Sequence, residues 1–156
     1  PEKTSPRKKI WVVGLGASAG GLEALSAFFR ALPPSRDAAF VVAQHLAPHA
    51  KSMMVELLQK HTAMPVHVVE DRRTIRAGEV AVVPPNFDVR LEGSRLVLEM
   101  AGEELRPKPS VNVFFESLAR AAGSRAIGII LSGTGSDGSD GVRSIRQAGG
   151  LVFAQE

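Results

Sequence analysis

Short apolar runs alternate in the first third of the chain with segments whose apolar residues recur at helical spacing. Residues 10–13 and 38–43 are continuous apolar runs of strand length, which are typical of strands buried on both faces. Residues 21–32 and 51–61 have apolar residues every three or four positions, and prolines follow both segments. This order predicts strand–helix units, whose right-handed crossovers generate a parallel sheet.

The middle of the chain follows a different pattern. Short runs of strand-forming residues are separated by turn signals such as Ala77-Gly78 and Pro84-Pro85. Runs this short, punctuated by glycine and proline, predict a partly antiparallel set of strands and turns. The runs are residues 66–70, 79–83, 87–91 and 95–99.

The last third returns to the first pattern. Residues 111–122 have helical spacing, and residues 126–131 form an apolar run that predicts a buried strand. A short helix is expected at 142–148, and another strand starts at 151–154. The whole pattern predicts an α/β fold with a doubly wound, mostly parallel sheet. Helices cover both faces in a Rossmann-like arrangement, and a short antiparallel strand region lies in the middle.

Length and composition fit one domain, with residues 1–9 as a flexible leader and residues 10–156 as the folded unit. The chain has no cysteine, which excludes disulfides and thiol nucleophiles and agrees with a cytoplasmic location. Much of the net charge of +3 comes from Arg7-Lys8-Lys9. Aromatic residues are few and no basic stripe interleaves with them, so we expect no nucleic-acid partner.

One segment imitates a secretory signal. Lys8-Lys9 precede an apolar run, and Ala17-Ser18-Ala19 has the spacing of a cleavage site. Gly14 and Gly16 interrupt this run, which is shorter than the apolar core of most signal peptides. Four glycines and Glu23 within residues 10–29 also argue against a membrane span, so we expect no membrane insertion.

Each of the three most apolar strands is followed by a side chain with catalytic chemistry. Ser18 lies in the glycine-rich turn after the first strand, His45 follows the second, and Asp137 lies in the loop after the third. Ligands of open parallel sheets bind beyond the carboxyl ends of the strands, so these side chains could converge. They are the three groups of a charge-oriented serine nucleophile, a site that requires no metal or organic cofactor.

Small residues around Ser18 leave room for an acyl substrate. The backbone N–H groups of Ala19 and Gly20 at the helix start, together with Thr134 in the later loop, are candidates for an oxyanion site. Glycine-rich turns also occur as plain strand–helix connections or phosphate cradles, so Ser18 alone does not identify a nucleophile.

A dinucleotide site is an alternative interpretation of the same turn. Gly14-Leu15-Gly16 matches half of the phosphate-binding fingerprint. The second strand, however, ends in Gln44-His45 and not in the acidic residue that would bind a ribose. That end suits a general base better than a nicotinamide cofactor.

The base and the acid also have competitors. His49 is close enough in sequence to replace His45 as the base. His61 lies near a helix C-terminus and His67 alternates along a strand, so both have structural interpretations. Asp140 directly precedes the predicted helix region and suits a helix cap better than the orienting role.

Four separated motifs resemble the catalytic domain of the chemotaxis methylesterase family, CheB, and the resemblance runs from about residue 10 to the end of the chain. It implies Ser18 as nucleophile, His45 as base and Asp137 as the orienting acid. The family often has other residues at three positions around the site, Ala19, Thr134 and Ser136. The motifs are residues 13–21 (VGLGASAGG), 44–46 (QHL), 106–114 (RPKPSVNVF) and 131–138 (LSGTGSDG), followed by 147–150 (QAGG).

The resemblance also implies an activity and its partners. The expected reaction is hydrolysis of glutamate 5-O-methyl esters on a chemoreceptor-like or sensor protein, with methanol as product and glutamine deamidation as a second activity. A regulatory receiver or methyltransferase domain is the partner domain that the family implies, and family members continue into a further helix beyond residue 156. A hydrolase for another ester and a non-catalytic signalling module of the same fold are the alternatives, besides the nucleotide site.

Overall fold

The computed structural model describes residues 9–18, 21–44, 53–100, 109–131 and 137–155. None of the helices in these ranges is long and apolar enough to cross a membrane. A 3₁₀ turn lies at Gly123–Arg125. In chain order the elements are β1 (Trp11–Ala17), α1 (Leu22–Ala31), β2 (Ala38–Gln44), α2 (Met54–Gln59), β3 (Val66–Val68), β4 (Arg73–Thr74), β5 (Val80–Val82), β6 (Phe87–Glu92), β7 (Arg95–Met100), α3 (Val111–Ala122), β8 (Ala126–Leu131), α4 (Ser139–Gln147) and β9 (Leu151–Ala154).

Six strands form a parallel sheet in the order β3-β5-β2-β1-β8-β9. The chain moves outward from β1 through β2 and later returns to the other side of β1 at β8. The strand order therefore reverses between β1 and β8, which is where such sheets bind their ligands. Side chains of α1 and α2 pack into the core on one face of the sheet, and those of α3 and α4 into the core on the other. The predicted fold class is confirmed.

The small antiparallel sheet, in the order β4-β7-β6, packs through Val89, Leu91 and Leu96 into the core that contains α3. One part of the sequence prediction is wrong at this point. The runs at 66–70 and 79–83 contain β3 and β5, which join the parallel sheet and not the antiparallel set. Short apolar runs do not reveal their pairing partners, and the buried β5 pairs with β2 because its valines complete the core.

Strand β1 continues through Gly14 and Gly16, whereas the sequence pattern predicted that it ends at these glycines. Both glycines lie under α3. A Cβ atom at Gly14 would be 2.7 Å from Cε2 of Phe114, and one at Gly16 would be 2.8 Å from Cγ1 of Val111. The glycines therefore permit close helix–sheet packing at α3, and the turn that carries Ser18 starts only after Ala17.

Gly14→Ala is expected to destabilise the fold by about 1–3 kcal/mol, because the new methyl group overpacks the contact between β1 and Phe114. Urea unfolding measures this loss. The double variant Gly14→Ala/Phe114→Leu should recover part of it, since leucine lacks the ring edge that the methyl group meets. If the stability losses of the two single variants simply add in the double variant, this explanation is contradicted.

Candidate active site

The carboxyl ends of three neighbouring strands lie at the same level. Ala17 in β1 pairs with Gln44, the last residue of β2, and with Leu131, the last residue of β8. Ser18 follows Ala17 directly and is partly buried. The register therefore starts three loops at one edge of the sheet, beside the reversal in strand order.

Two of the predicted site residues, Ser18 and Asp137, belong to the described part of the chain. The meeting of serine, histidine and aspartate therefore stays a prediction. In its favour, Ala17 and Gln44 are paired at the ends of β1 and β2, and Ser18 and His45 are the next residues in the sequence. The other predicted residues lie outside the described ranges, as does the alternative base: His45, Ala19, Gly20, Thr134 and His49.

Two hydrogen bonds fix the backbone of Ser18. Its carbonyl oxygen accepts one from the Gly21 N–H at 2.8 Å and one from Nε2 of Gln44 at 3.1 Å. The Gln44 side chain is buried, with 2% of the residue exposed, so this bond joins the serine turn to the end of β2 inside the protein. The sequence showed Gln44 as part of the QHL motif and as a residue unsuited to a ribose site, without indicating this structural contact. Its polar side chain at the end of an otherwise apolar strand was the available signal.

The carboxylate of Asp137 binds the first turn of α3. Its Oδ2 accepts a hydrogen bond from the Val111 N–H at 2.9 Å, and its Oδ1 accepts one from the Asn112 N–H at 3.0 Å. These N–H groups have no acceptor within the helix, and the positive end of the helix dipole favours a negative charge there. These two contacts hold the carboxylate in a defined orientation, which an acid that orients a histidine requires.

The N-terminus of α3 is also tied to β6. The Ser110 N–H donates to Oδ1 of Asp88 at 2.8 Å, and Oγ of Ser110 accepts from the Val113 N–H at 3.2 Å. Asp88 is 6% exposed, so this contact is buried. Side chains therefore accept from each N–H between residues 110 and 113, and the helix end is a fixed support for Asp137.

Asn112 makes the reverse contact to the loop that carries Asp137. Its Oδ1 accepts hydrogen bonds from the Gly138 N–H at 3.0 Å and the Gly141 N–H at 2.9 Å, at the start of α4. In the sequence, Asn112 belongs to the motif at residues 106–114, which does not indicate a role for its side chain. An asparagine in the first turn of a helix is a weak signal, because its acceptor oxygen usually binds N–H groups of its own helix.

The expectation that Asp140 caps the last helix is wrong. Asp140 lies within the first turn of α4, with 68% of its side chain exposed and Oδ1 3.7 Å from Nη1 of Arg143. Gly138 is the cap residue, with φ of 107°, a conformation that side-chain-bearing residues rarely adopt. The acceptor for its N–H comes from Asn112 on the neighbouring helix, which no local pattern could reveal.

The remaining alternatives do not fit this edge of the sheet. Gly14 and Gly16 belong to a strand packed under α3, so they do not form the loop of a dinucleotide site. His67 contacts Glu79, with Nε2 and Oε2 3.1 Å apart, and Nδ1 of His61 lies 3.4 Å from Nη2 of Arg30. Both histidines therefore have polar partners outside the proposed triad.

The comparisons with known proteins agree with the observed fold. A family model described as CheB methylesterase matches residues 13–156. The crystal structure of the Thermotoga maritima CheB methylesterase catalytic domain superimposes with a TM-score of 0.83 at 26% sequence identity, covering 92% of this chain and 78% of that one.

Curated relatives are similar over nearly the whole chain. Protein-glutamate methylesterase/protein-glutamine glutaminase 3 of Pseudomonas savastanoi pv. phaseolicola is 34% identical over 99% of this chain and 46% of its own length. Protein-glutamate methylesterase/protein-glutamine glutaminase 1 of Cupriavidus pinatubonensis is 38% identical over 93% of this chain and 43% of its own length. The chain thus spans less than half of each of these two relatives, and it belongs to the CheB methylesterase family.

Proposed function

We propose that this chain is a methylesterase domain that hydrolyses glutamate 5-O-methyl esters on a chemoreceptor-like protein. The observation that carries the proposal is the pairing of Ala17 with both Gln44 and Leu131, which ends three neighbouring strands at one edge of the sheet. The Asp137 carboxylate is held near this edge by the N-terminus of α3. Family membership supplies the reaction, since curated relatives carry the name protein-glutamate methylesterase.

The proposed mechanism is acyl transfer. His45 accepts the Ser18 proton as Oγ attacks the ester carbonyl, and Asp137 stabilises the imidazolium. The backbone N–H groups of Ala19 and Gly20, with Thr134, bind the oxyanion. The C–O bond to the methoxy group breaks, His45 returns the proton, and methanol leaves. Water activated by His45 then releases the glutamate side chain and regenerates Ser18.

The same site can act on glutamine side chains. Attack of Ser18 on the amide carbonyl gives the same acyl-enzyme, and ammonia leaves in place of methanol. The names of the relatives include protein-glutamine glutaminase, which supports this second activity. We further propose that the domain works in the cytoplasm on the cytoplasmic part of the methylated receptor, beside a receiver or methyltransferase domain.

Methanol release from a chemoreceptor that carries isotope-labelled methyl esters tests the function directly. We expect the chain to release labelled methanol and to leave glutamate on the receptor. Simple aryl esters are the control substrate. Hydrolysis of aryl esters without methanol release would identify an esterase with a different substrate. Failure to hydrolyse either substrate, with retention of the fold, would favour a non-catalytic signalling module.

A nucleotide-binding domain is distinguished by thermal unfolding. A ligand that binds the folded state raises the melting temperature by mass action. We expect no increase with NAD or ATP, because the glycines of the partial fingerprint lie within β1. A concentration-dependent increase with either nucleotide would contradict the methylesterase proposal.

A further inference from the structure

We propose that Asn112 is a positioning residue, which sets the direction of the Asp137 carboxylate in the catalytic triad. This inference rests on the proposed function, and it assigns a role to a side chain that touches neither substrate nor nucleophile in the mechanism above. Its basis is a pair of reciprocal contacts between the start of α3 and the start of α4.

The contacts form a closed clamp between residues 111–112 and residues 137–141. The two N–H groups of the α3 residues bind the carboxylate at 2.9 and 3.0 Å. In return, Oδ1 of Asn112 binds the N–H groups of Gly138 and Gly141 at 3.0 and 2.9 Å. Each helix N-terminus therefore receives an acceptor from the other segment, and the two segments fix each other.

The hydrogen bond from Gly138 has a direct effect on Asp137. The Gly138 N–H belongs to the peptide plane that joins residues 137 and 138, so its position fixes the ψ angle of Asp137. Gly138 itself has φ of 107° and gives the backbone freedom to turn. If Asn112 had no acceptor, the hydrogen bond that holds this peptide plane would be lost. The plane could then rotate, and the Cα–Cβ bond of Asp137 could change direction.

Packing around the clamp reinforces this arrangement. A Cβ atom at Gly141 would be 2.6 Å from Cβ of Phe115, so α3 and α4 approach closely. A Cβ atom at Gly138 would be 2.9 Å from Cδ1 of Ile130 and 3.3 Å from Cγ1 of Val111. The clamp thus packs against Ile130, near the end of β8, and links the position of Asp137 to that of α3.

Three variants made in the full chain test the proposal. Asn112→Leu keeps the approximate shape of the side chain and removes the acceptor. Asn112→Asp keeps an acceptor oxygen at a helix N-terminus, where a negative charge is tolerated. Ser117→Ala removes a buried hydroxyl of the same helix, which accepts from the Leu91 N–H at 2.9 Å and does not contact Asp137. It controls for general destabilisation of α3.

For Asn112→Leu we expect kcat for methanol release to fall by about 100-fold with KM unchanged, because misplacement of about 1 Å in a catalytic group has that effect. The rate of Ser18 labelling by a fluorophosphonate should fall in parallel, since it depends on the same base and acid. Asn112→Asp should recover most of both rates. Ser117→Ala should lower the urea midpoint and leave kcat per folded molecule unchanged.

Equal kcat values for Asn112→Leu and Ser117→Ala would overturn the proposal, and so would failure of Asn112→Asp to restore activity in a folded protein. The proposed function can fail separately. If the unaltered chain reacts with the phosphonate but releases no methanol, the substrate is wrong, and the labelling rates of the variants still decide the role of Asn112. If the unaltered chain does not react with the phosphonate, the triad and the role of Asn112 are both overturned.

Discussion

Ser18→Ala is expected to lower kcat for methanol release by about 10⁴- to 10⁶-fold, because the acyl-enzyme can no longer form. The fold should be retained. The hydrogen bonds from the Gly21 N–H and from Gln44 are accepted by the backbone carbonyl of residue 18, which alanine keeps. Methanol release at saturating substrate measures the loss, and urea unfolding verifies that the variant is folded.

Ser139→Ala is the matched control for this variant. Ser139 is an exposed serine at the start of α4, in the segment that follows Asp137. Its replacement should leave both methanol release and stability unchanged. If Ser18→Ala retained the activity of the unaltered chain, neither the nucleophile nor the acyl-transfer mechanism could stand.

Asp137→Asn is expected to lower kcat by about 10⁴-fold and also to destabilise the fold. An amide cannot stabilise the imidazolium as a carboxylate does, and it favours the wrong histidine tautomer. It also supplies one acceptor where the carboxylate supplies two. Either the Val111 or the Asn112 N–H would then face the amide NH₂ group, at a cost of about 1–3 kcal/mol. Steady-state kinetics and urea unfolding measure the two effects independently.

Asp140→Asn separates this site effect from a general loss of charge in the loop. The Asp140 side chain is 68% exposed and its oxygen lies 3.7 Å from Arg143. Exposed ion pairs of this kind contribute about 0–1 kcal/mol, so activity and stability should change little. If Asp140→Asn were inactive and Asp137→Asn still active, Asp140 and not Asp137 would be the orienting acid.

The local features of the fold could be predicted from the sequence. Residues 111–122 and 126–131 were predicted with the bounds that α3 and β8 have, because helical spacing and a continuous apolar run are local signals. The end of β1 was misplaced because Gly14 resembles a turn residue in sequence. Its actual role is to accommodate Phe114, which lies a hundred positions later in the chain.

The candidate site also combines features that local sequence signals indicate with contacts that they do not reveal. The rule that ligands bind beyond strand carboxyl ends made Ser18, His45 and Asp137 candidates from their positions after apolar runs, and their catalytic roles stay predictions. That rule cannot reveal which groups hold these residues in place. The contacts of Asp137 with Val111 and of Asn112 with Gly138 join segments that are distant in sequence, and they exist only after α3 and α4 pack together.

The level register of β1, β2 and β8 has a consequence for how the length of the chain can vary. Ala17, Gln44 and Leu131 form one row, so adding a residue inside any of these strands would shift one loop out of step with its neighbours. Connections that enter the sheet from the opposite end, such as residues 32–37 ahead of β2, carry no such constraint. Insertions there would enlarge the domain and leave the loops after Ala17, Gln44 and Leu131 in place. That end of the sheet is therefore suited to sequence divergence or to the attachment of a reporter.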